Sequence, residues 1–253
     1  MKEYYDTRAP EYDEWYLGLG KFAGLKRPEW DEDVRSLEQT IAALPAARTL
    51  DVACGTGYLT RHLRGQIVAL DHSERMLAIA RDRLPAADCV RGDALDLPFA
   101  DDSFDRVFTA HFYGHLEERE REVFLTEARR VAPELVVVDA AVRPDREQAE
   151  WQERVLNDGS RFTVYKRHFE GHQLAEELGG GTVVHENRWF VVVTSPGASG
   201  QAPVRLSPLT RTVARAGNPH FNTGTIQRRS DRLFRNEPLR SDEPSQRARY
   251  WVA

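Results

Sequence analysis

The chain has 253 residues, enough for one domain of ordinary size with an extension. With 41% hydrophobic and 30% charged residues it has material for a core and a soluble surface, and a net charge of −5 does not by itself point to nucleic acid. Two cysteines, Cys54 and Cys89, neither in CxxC spacing, argue against a disulfide framework and a structural zinc site, so no metal is expected.

Residues 1–13 are rich in charge and have no apolar stretch of the kind a signal peptide needs. The clean apolar runs at 135–138 and 189–193 are far too short to span a bilayer. The expectation is a cytoplasmic protein with no membrane insertion.

Two helices are expected first, over residues 2–17 and 29–44. A strand at 49–52 then runs into a glycine turn and a helix ending near residue 63. A second strand falls at 66–70, and Ser73 is placed to cap a helix whose apolar face is Met76, Ile79, Ala80 and Leu84. Strands follow at 89–91 and 104–110. The next helical stripe is Leu116, Val123, Phe124, Ala128 and Val131, and residues 135–139 form a wholly apolar strand. Helices near 146–156 and 171–178 precede two strands, 182–185 and 189–194, close enough to form an antiparallel hairpin.

Alternating strands and helices predict an α/β fold: a Rossmann-like, doubly wound, seven-stranded sheet, mostly parallel with one antiparallel strand and helices on both faces. The composition changes near Ser195. Residues 197–253 hold ten Arg, no Lys and four acids, a formal +6, with no apolar period, which predicts a basic disordered tail over 196–253.

The segment Asp51-Val52-Ala53-Cys54-Gly55-Thr56-Gly57 lies at a strand's carboxyl end. Glycines there let the backbone turn tightly and approach a ligand, in the crevice where open α/β sheets bind. Two glycines alone are equally consistent with a turn that holds nothing. A dinucleotide fingerprint would need glycine where Thr60 stands, and no Gly-Lys-Ser/Thr follows for a P-loop. Asp71, 20 residues after Asp51, sits at the next strand's tip, placed to accept from ribose hydroxyls or to start a helix before Ser73. Asp93, a further 22 residues on, reads equally as an acceptor for an adenine amine or as a solvated loop acid.

Four stretches, 49–60, 69–77, 92–105 and 124–131, resemble class I S-adenosylmethionine-dependent methyltransferases, and most closely the small-molecule group that includes the ubiquinone/menaquinone-biosynthesis enzymes. The resemblance covers about residues 50–135. It implies S-adenosylmethionine as cofactor and S-adenosylhomocysteine as product. It also implies roles: Asp51 anchors the turn, Ala53, Gly55 and Gly57 meet the methionine part, and Asp71 holds the ribose. His72 and Met76 flank the adenine, Asp93 and Ala94 lie at its edge, and Ala110 approaches the sulfonium. Residues 1–47 look like that group's helical lid, with Tyr5 and Tyr12 over the cofactor, and 48–195 become the methyltransferase domain. Ala53 departs from the group's first glycine, and Ala132-Pro133-Glu134 shortens its usual turn before the fifth strand.

Methyl transfer from a sulfonium needs in-line positioning and a base only where the acceptor must lose a proton. His111, Tyr113 and His115, alternating past the fourth strand, are the catalytic candidates; each is also explicable as loop packing. His168, His172, Trp151, Phe162 and Tyr165 are candidates for the acceptor wall. The expected function is methylation of a small molecule, and the alternative is a non-catalytic S-adenosylmethionine-binding or interaction module on the same fold. No nucleic-acid partner is expected, since the part before residue 197 is acidic and lacks an Asn/Asp-Pro-Pro-Tyr/Trp motif.

Overall fold

The computed structural model describes residues 2–196, and the expected tail lies outside them. The N-terminal segment is not one helix. Helix α1 (Lys2–Arg8) gives way at Pro10 to a 3-10 turn, because proline has no N–H to continue the ladder. A short α2 (Glu14–Leu17) follows and ends on Gly18 in the left-handed conformation. Helix α3 (Trp30–Ala43) buries Trp30, Val34, Leu37 and Ile41, the single face that its period allows.

The central run is β1 (Ala47–Val52), β2 (Gly65–Asp71), α4 (Glu74–Arg83), β3 (Asp88–Arg91), β4 (Arg106–Ala110), α5 (Glu118–Val131) and β5 (Glu134–Ala140). Then come β6 (Ala149–Val155), β7 (Arg161–Arg167), α6 (Gly171–Glu177), β8 (Thr182–Glu186) and β9 (Phe190–Pro196). Seven strands form one sheet in the order β3-β2-β1-β4-β5-β9-β8, parallel except for β9, which runs antiparallel to both neighbours. The chain winds from β1 outward through β2 and β3, then returns to β4 on the other side of β1. The carboxyl ends of β1 and β4 therefore flank the topological switch point, where such sheets bind ligands.

Alternation along the strands supplies both faces of the sheet. Val107, Leu135, Val137, Val191 and Val193 join α5 and α6 side chains in one core cluster. Their neighbours Phe108, Val136, Val138, Phe190 and Val192 pack with α3 and with Trp15, Tyr16 and Phe22 of the N-terminal segment in another. Helix α5 starts with a reciprocal capping box, Glu117 with Glu120. No helix among the described residues is long and apolar enough to cross a membrane.

Two expected helices are absent. After the glycine turn there is only a 3-10 turn, Thr60–His62, because β2 begins at Gly65 and the turn itself occupies most of the span between the strands. Residues 146–156 are not helical either: β6 pairs with β7 as a separate two-stranded hairpin, in register from Ala149↔Arg167 to Val155↔Arg161.

Candidate functional site

The β1 turn is strained where the sequence motif lies. Ala53, Gly55 and Gly57 all take positive φ, at 59°, 56° and 73°. Only glycine does so freely, so Ala53 stores strain. Gly55 is open toward the site: a Cβ there would meet the Tyr12 ring at 3.6 Å. Gly57 faces inward, and a Cβ would come 2.7 Å from Leu84 Cδ1.

Asp51 lies below the turn and is 2% exposed. Its Oδ2 accepts from Thr60 Oγ1 at 2.5 Å, while Oδ1 is buried with no partner. Burial pushes this carboxyl up to about 8. Thr60, the residue that removes the dinucleotide reading, thus orients the aspartate. The buried oxygen lies beside a cavity lined by Tyr12, Tyr16, Asp51, Ala53, Tyr58 and Ala110, among others. A cationic amine donor is the kind of group such an oxygen lacks, and the methionine end of S-adenosylmethionine carries one. On this observation the residues present fit that cofactor.

Asp71, at the tip of β2, accepts from Gly55 N at 2.9 Å through Oδ2 and from Ser73 N at 2.8 Å through Oδ1. It therefore ties the glycine turn to the start of α4, and burial raises its carboxyl. Ser73 caps α4, as expected, by accepting from Met76 N. His72 lies beside Asp71 and meets the edge of Tyr5 at 5.7 Å. Met76 is fully buried and serves the core at this position. Asp93 is exposed, with Oδ1 bonded to Leu95 N at 2.9 Å, and Ala94 packs against the main core cluster.

The N-terminal segment is pinned to this turn by side chains. Asp6 accepts from Ser73 Oγ at 2.6 Å; Asp13 accepts from Thr56 Oγ1 at 2.6 Å and pairs with Arg83. Tyr16 stacks on Tyr58 with centroids 4.1 Å apart. These contacts hold Tyr5 and Tyr12 over the carboxyl ends of β1 and β2.

The end of β4 carries the second strained residue. His111 has φ 55° and is 9% exposed. Its ring meets Trp15 at 5.1 Å and Phe190 at 5.6 Å, and Nε2 is buried without a partner. Burial lowers its pKa to about 3, so the ring is neutral and a weak base. His115 Nδ1 lies 2.6 Å from the Tyr165 carbonyl; a carbonyl can only accept, so Nδ1 carries the proton and Nε2 keeps its lone pair. Burial also holds His115 well below its ordinary value. Both histidines line a second cavity with Tyr5, Tyr12 and Trp15, so Tyr12 stands between the two cavities.

Tyr113 is not brought to this site. It is fully buried in the core on the other side, against Phe124 and Phe169, and donates to Glu177 Oε1 at 2.9 Å. The 3-10 turn Tyr113–His115 explains the parting: successive side chains diverge around a turn instead of alternating as on a strand. Of the acceptor-wall candidates, His172 and Trp151 are exposed, while His168 is buried, bonded to the Glu147 carbonyl and lowered to about 4 by burial.

The sequence reading missed Trp15 and Tyr16, whose only signal was aromatic spacing in the N-terminal segment, and Tyr58, which lies inside the 49–60 stretch but was given no role. It also missed a buried ion pair, Lys166 to Asp139 at 2.6 Å, below the second cavity. Asp139 also accepts from Gly114 N and Ala140 N. Burial pushes the Asp139 carboxyl up, but Lys166 and these hydrogen bonds outweigh it and hold the group below its ordinary value.

Comparison with known proteins bears on the family and the fold. Residues 50–134 match the methyltransferase domain family model. Demethylmenaquinone methyltransferase of Renibacterium salmoninarum is 38% identical over 108 residues, 41% of this chain and 42% of the relative. The 2-phytyl-1,4-naphtoquinone methyltransferase of Synechococcus elongatus is 46% identical over 117 residues, 40% of this chain and 46% of the relative. The chain thus spans less than half the length of these curated relatives. Among solved structures, the DhpI-SAH complex is 31% identical with TM-score 0.61, covering 78% of this chain and 95% of that one. The strained glycine turn at the switch point, the Asp71 tie and this near full-length likeness lead to one assignment: the chain belongs to the class I S-adenosylmethionine-dependent methyltransferase family.

Proposed function

We propose that this chain transfers a methyl group from S-adenosylmethionine to a small-molecule acceptor by in-line displacement. The observation that carries the reading is the unpartnered Asp51 Oδ1 beneath a strained turn, in a cavity that shares Tyr12 with a second cavity beyond β4. Asp51 and the backbone at 53–57 hold the amino-acid end, and Asp71 with His72 the ribose and adenine side. Asp93 and Ala94 lie at the adenine rim, and Tyr5 and Tyr12 cover the site as a lid. When bound, the cofactor supplies an already activated methyl.

What remains for the protein is alignment and exclusion of water. His111, held rigidly in a left-handed conformation among Trp15 and Phe190, and His115, with a free Nε2 lone pair, face the acceptor as neutral hydrogen-bonding groups. The low pKa of His111 suits it to orienting an acceptor better than to taking its proton. The aromatic Tyr5, Tyr12 and Trp15 favour a cationic sulfonium nearby.

The test uses methyl-labelled S-adenosylmethionine and a small-molecule metabolite extract. Wild-type protein is expected to label a small acceptor, and His111→Asn, which tolerates positive φ, to lower turnover while leaving cofactor affinity nearly intact. Label appearing in no small molecule would contradict the acceptor reading, and unchanged turnover in His111→Asn would remove that residue's role.

A further inference from the structure

Two arginines are buried without a counter-ion: Arg8, in the wall of the second cavity, and Arg154, in the wall of a third cavity that Arg8 also lines. Arg8 is 9% exposed and Arg154 is 6% exposed, and neither has a carboxylate within ion-pair distance among the described residues. Arg8 Nη1 donates to the Tyr4 hydroxyl, and its guanidinium lies over the Tyr12 ring at 4.9 Å. Arg154 Nη2 donates to Gln152 Oε1, and its Nε is buried with no partner. The two guanidinium groups are near enough to repel each other, and burial with that repulsion lowers Arg154. Glu150 acts on Arg154 only at longer range and accepts from Gln152 Nε2.

Lys166 is the third cation, and its charge is answered by Asp139. Three buried cations with one buried carboxylate leave two positive charges uncompensated. Burying an unpaired charge is among the costliest arrangements a fold can keep, and hydrogen bonds to a phenol and an amide, with the Tyr4 and Tyr12 rings beside Arg8, do not replace a counter-ion. All three cations act on the histidines at the end of β4: Arg8 and Lys166 on His111, Lys166 and Arg154 on His115. Arg8 and Lys166 line the same cavity as both rings.

We propose that the methyl acceptor carries an anionic group, a carboxylate or a phosphate-type oxyanion, which Arg8 and Arg154 bind beside His111 and His115. This rests on the reading of that cavity as the acceptor site. The anion supplies the missing counter-charge and fills the hydrogen-bonding valence of Arg154 Nε. Guanidinium groups suit both kinds of oxyanion, because their donors form a planar fork. A neutral planar acceptor would leave both charges unanswered.

The test titrates the S-adenosylhomocysteine-loaded protein with sodium acetate and, separately, inorganic phosphate at constant ionic strength, read by calorimetry, with chloride as control. Saturable binding of acetate or phosphate, weakened at least tenfold in Arg154→Leu and in Arg8→Leu, is expected; whichever anion binds more tightly names the oxyanion. Arg154→Leu is expected to bind S-adenosylmethionine as wild type does and to melt no lower than wild type without ligand, since it removes an unpaired charge. No saturable binding of either anion, or equal affinity in wild type and Arg154→Leu, would overturn the proposal. Failure of wild type to bind S-adenosylmethionine would sink the methyltransferase reading instead, a separate outcome from the anion titration.

Discussion

Two non-glycine residues, Ala53 and His111, hold positive φ at the ends of neighbouring strands β1 and β4. Such strain persists only where surroundings enforce it, and it gathers at functional sites. Ala53→Gly is expected to raise stability by up to about 1 kcal/mol in urea unfolding, because glycine takes this conformation freely. Gly57→Ala is expected to lower it by about 1–3 kcal/mol, combining positive φ with the 2.7 Å approach to Leu84. His111 gives a pH signature. Its folded pKa of about 3 lies below the ordinary 6.5, so between those values the unfolded chain takes up a proton that the folded chain refuses. Its contribution is complete above pH 6.5 and is lost as pH falls. Relative to wild type, His111→Asn should gain up to about 1.4 kcal/mol for each pH unit below 6.5, read from unfolding midpoints. An unchanged difference between pH 7.5 and pH 5 would place the histidine in water. Asp51, Gly55, Gly57 and Asp71 were legible in the sequence because a strand-end motif fixes their places. Arg8, Arg154 and Lys166 were not, since a single charge carries no sign that it will be buried.

The hairpin β6–β7 shows why that burial was hidden. Its inward positions are Gln152, Arg154, Val164 and Lys166, while Trp151 is 61% exposed. A strand with polar residues inside and an aromatic outside inverts the alternation on which strand recognition depends, so residues 146–156 suggest a helix instead. The parallel strands suffered no such confusion, because their apolar runs are buried on both faces. The hairpin is joined to the sheet by the ion pair between Lys166 of β7 and Asp139 of β5. Lys166→Met alone is expected to destabilise the fold by about 3–5 kcal/mol, leaving Asp139 charged, buried and short of its partner. Adding Asp139→Leu should recover part of that loss in a double-mutant cycle; simple additivity would show that the two residues do not act as a pair.

At the scale of the molecule, the strand order brings the cavity proposed for the cofactor and the second cavity side by side at the switch point. The family match covers residues 50–134, so Arg8, which precedes it, and Arg154, in the hairpin that follows it, both lie outside the part shared with the family model. Alternation of strands and helices made the sheet legible. The walls of the second cavity come from the N-terminal segment, the residues that follow β4, the end of β5, and β7, whose meeting depends on long-range packing that no local pattern encodes. The most direct test of the account is calorimetric titration of S-adenosylmethionine into wild type, Asp71→Ala and Asp51→Asn. Wild type should bind at about micromolar strength. Asp71→Ala should lose binding, and Asp51→Asn, which keeps the Thr60 contact but cannot carry a negative charge, should bind at least about tenfold more weakly. A wild-type protein that gives no binding heat, or an Asp51→Asn variant that binds equally well, would contradict it.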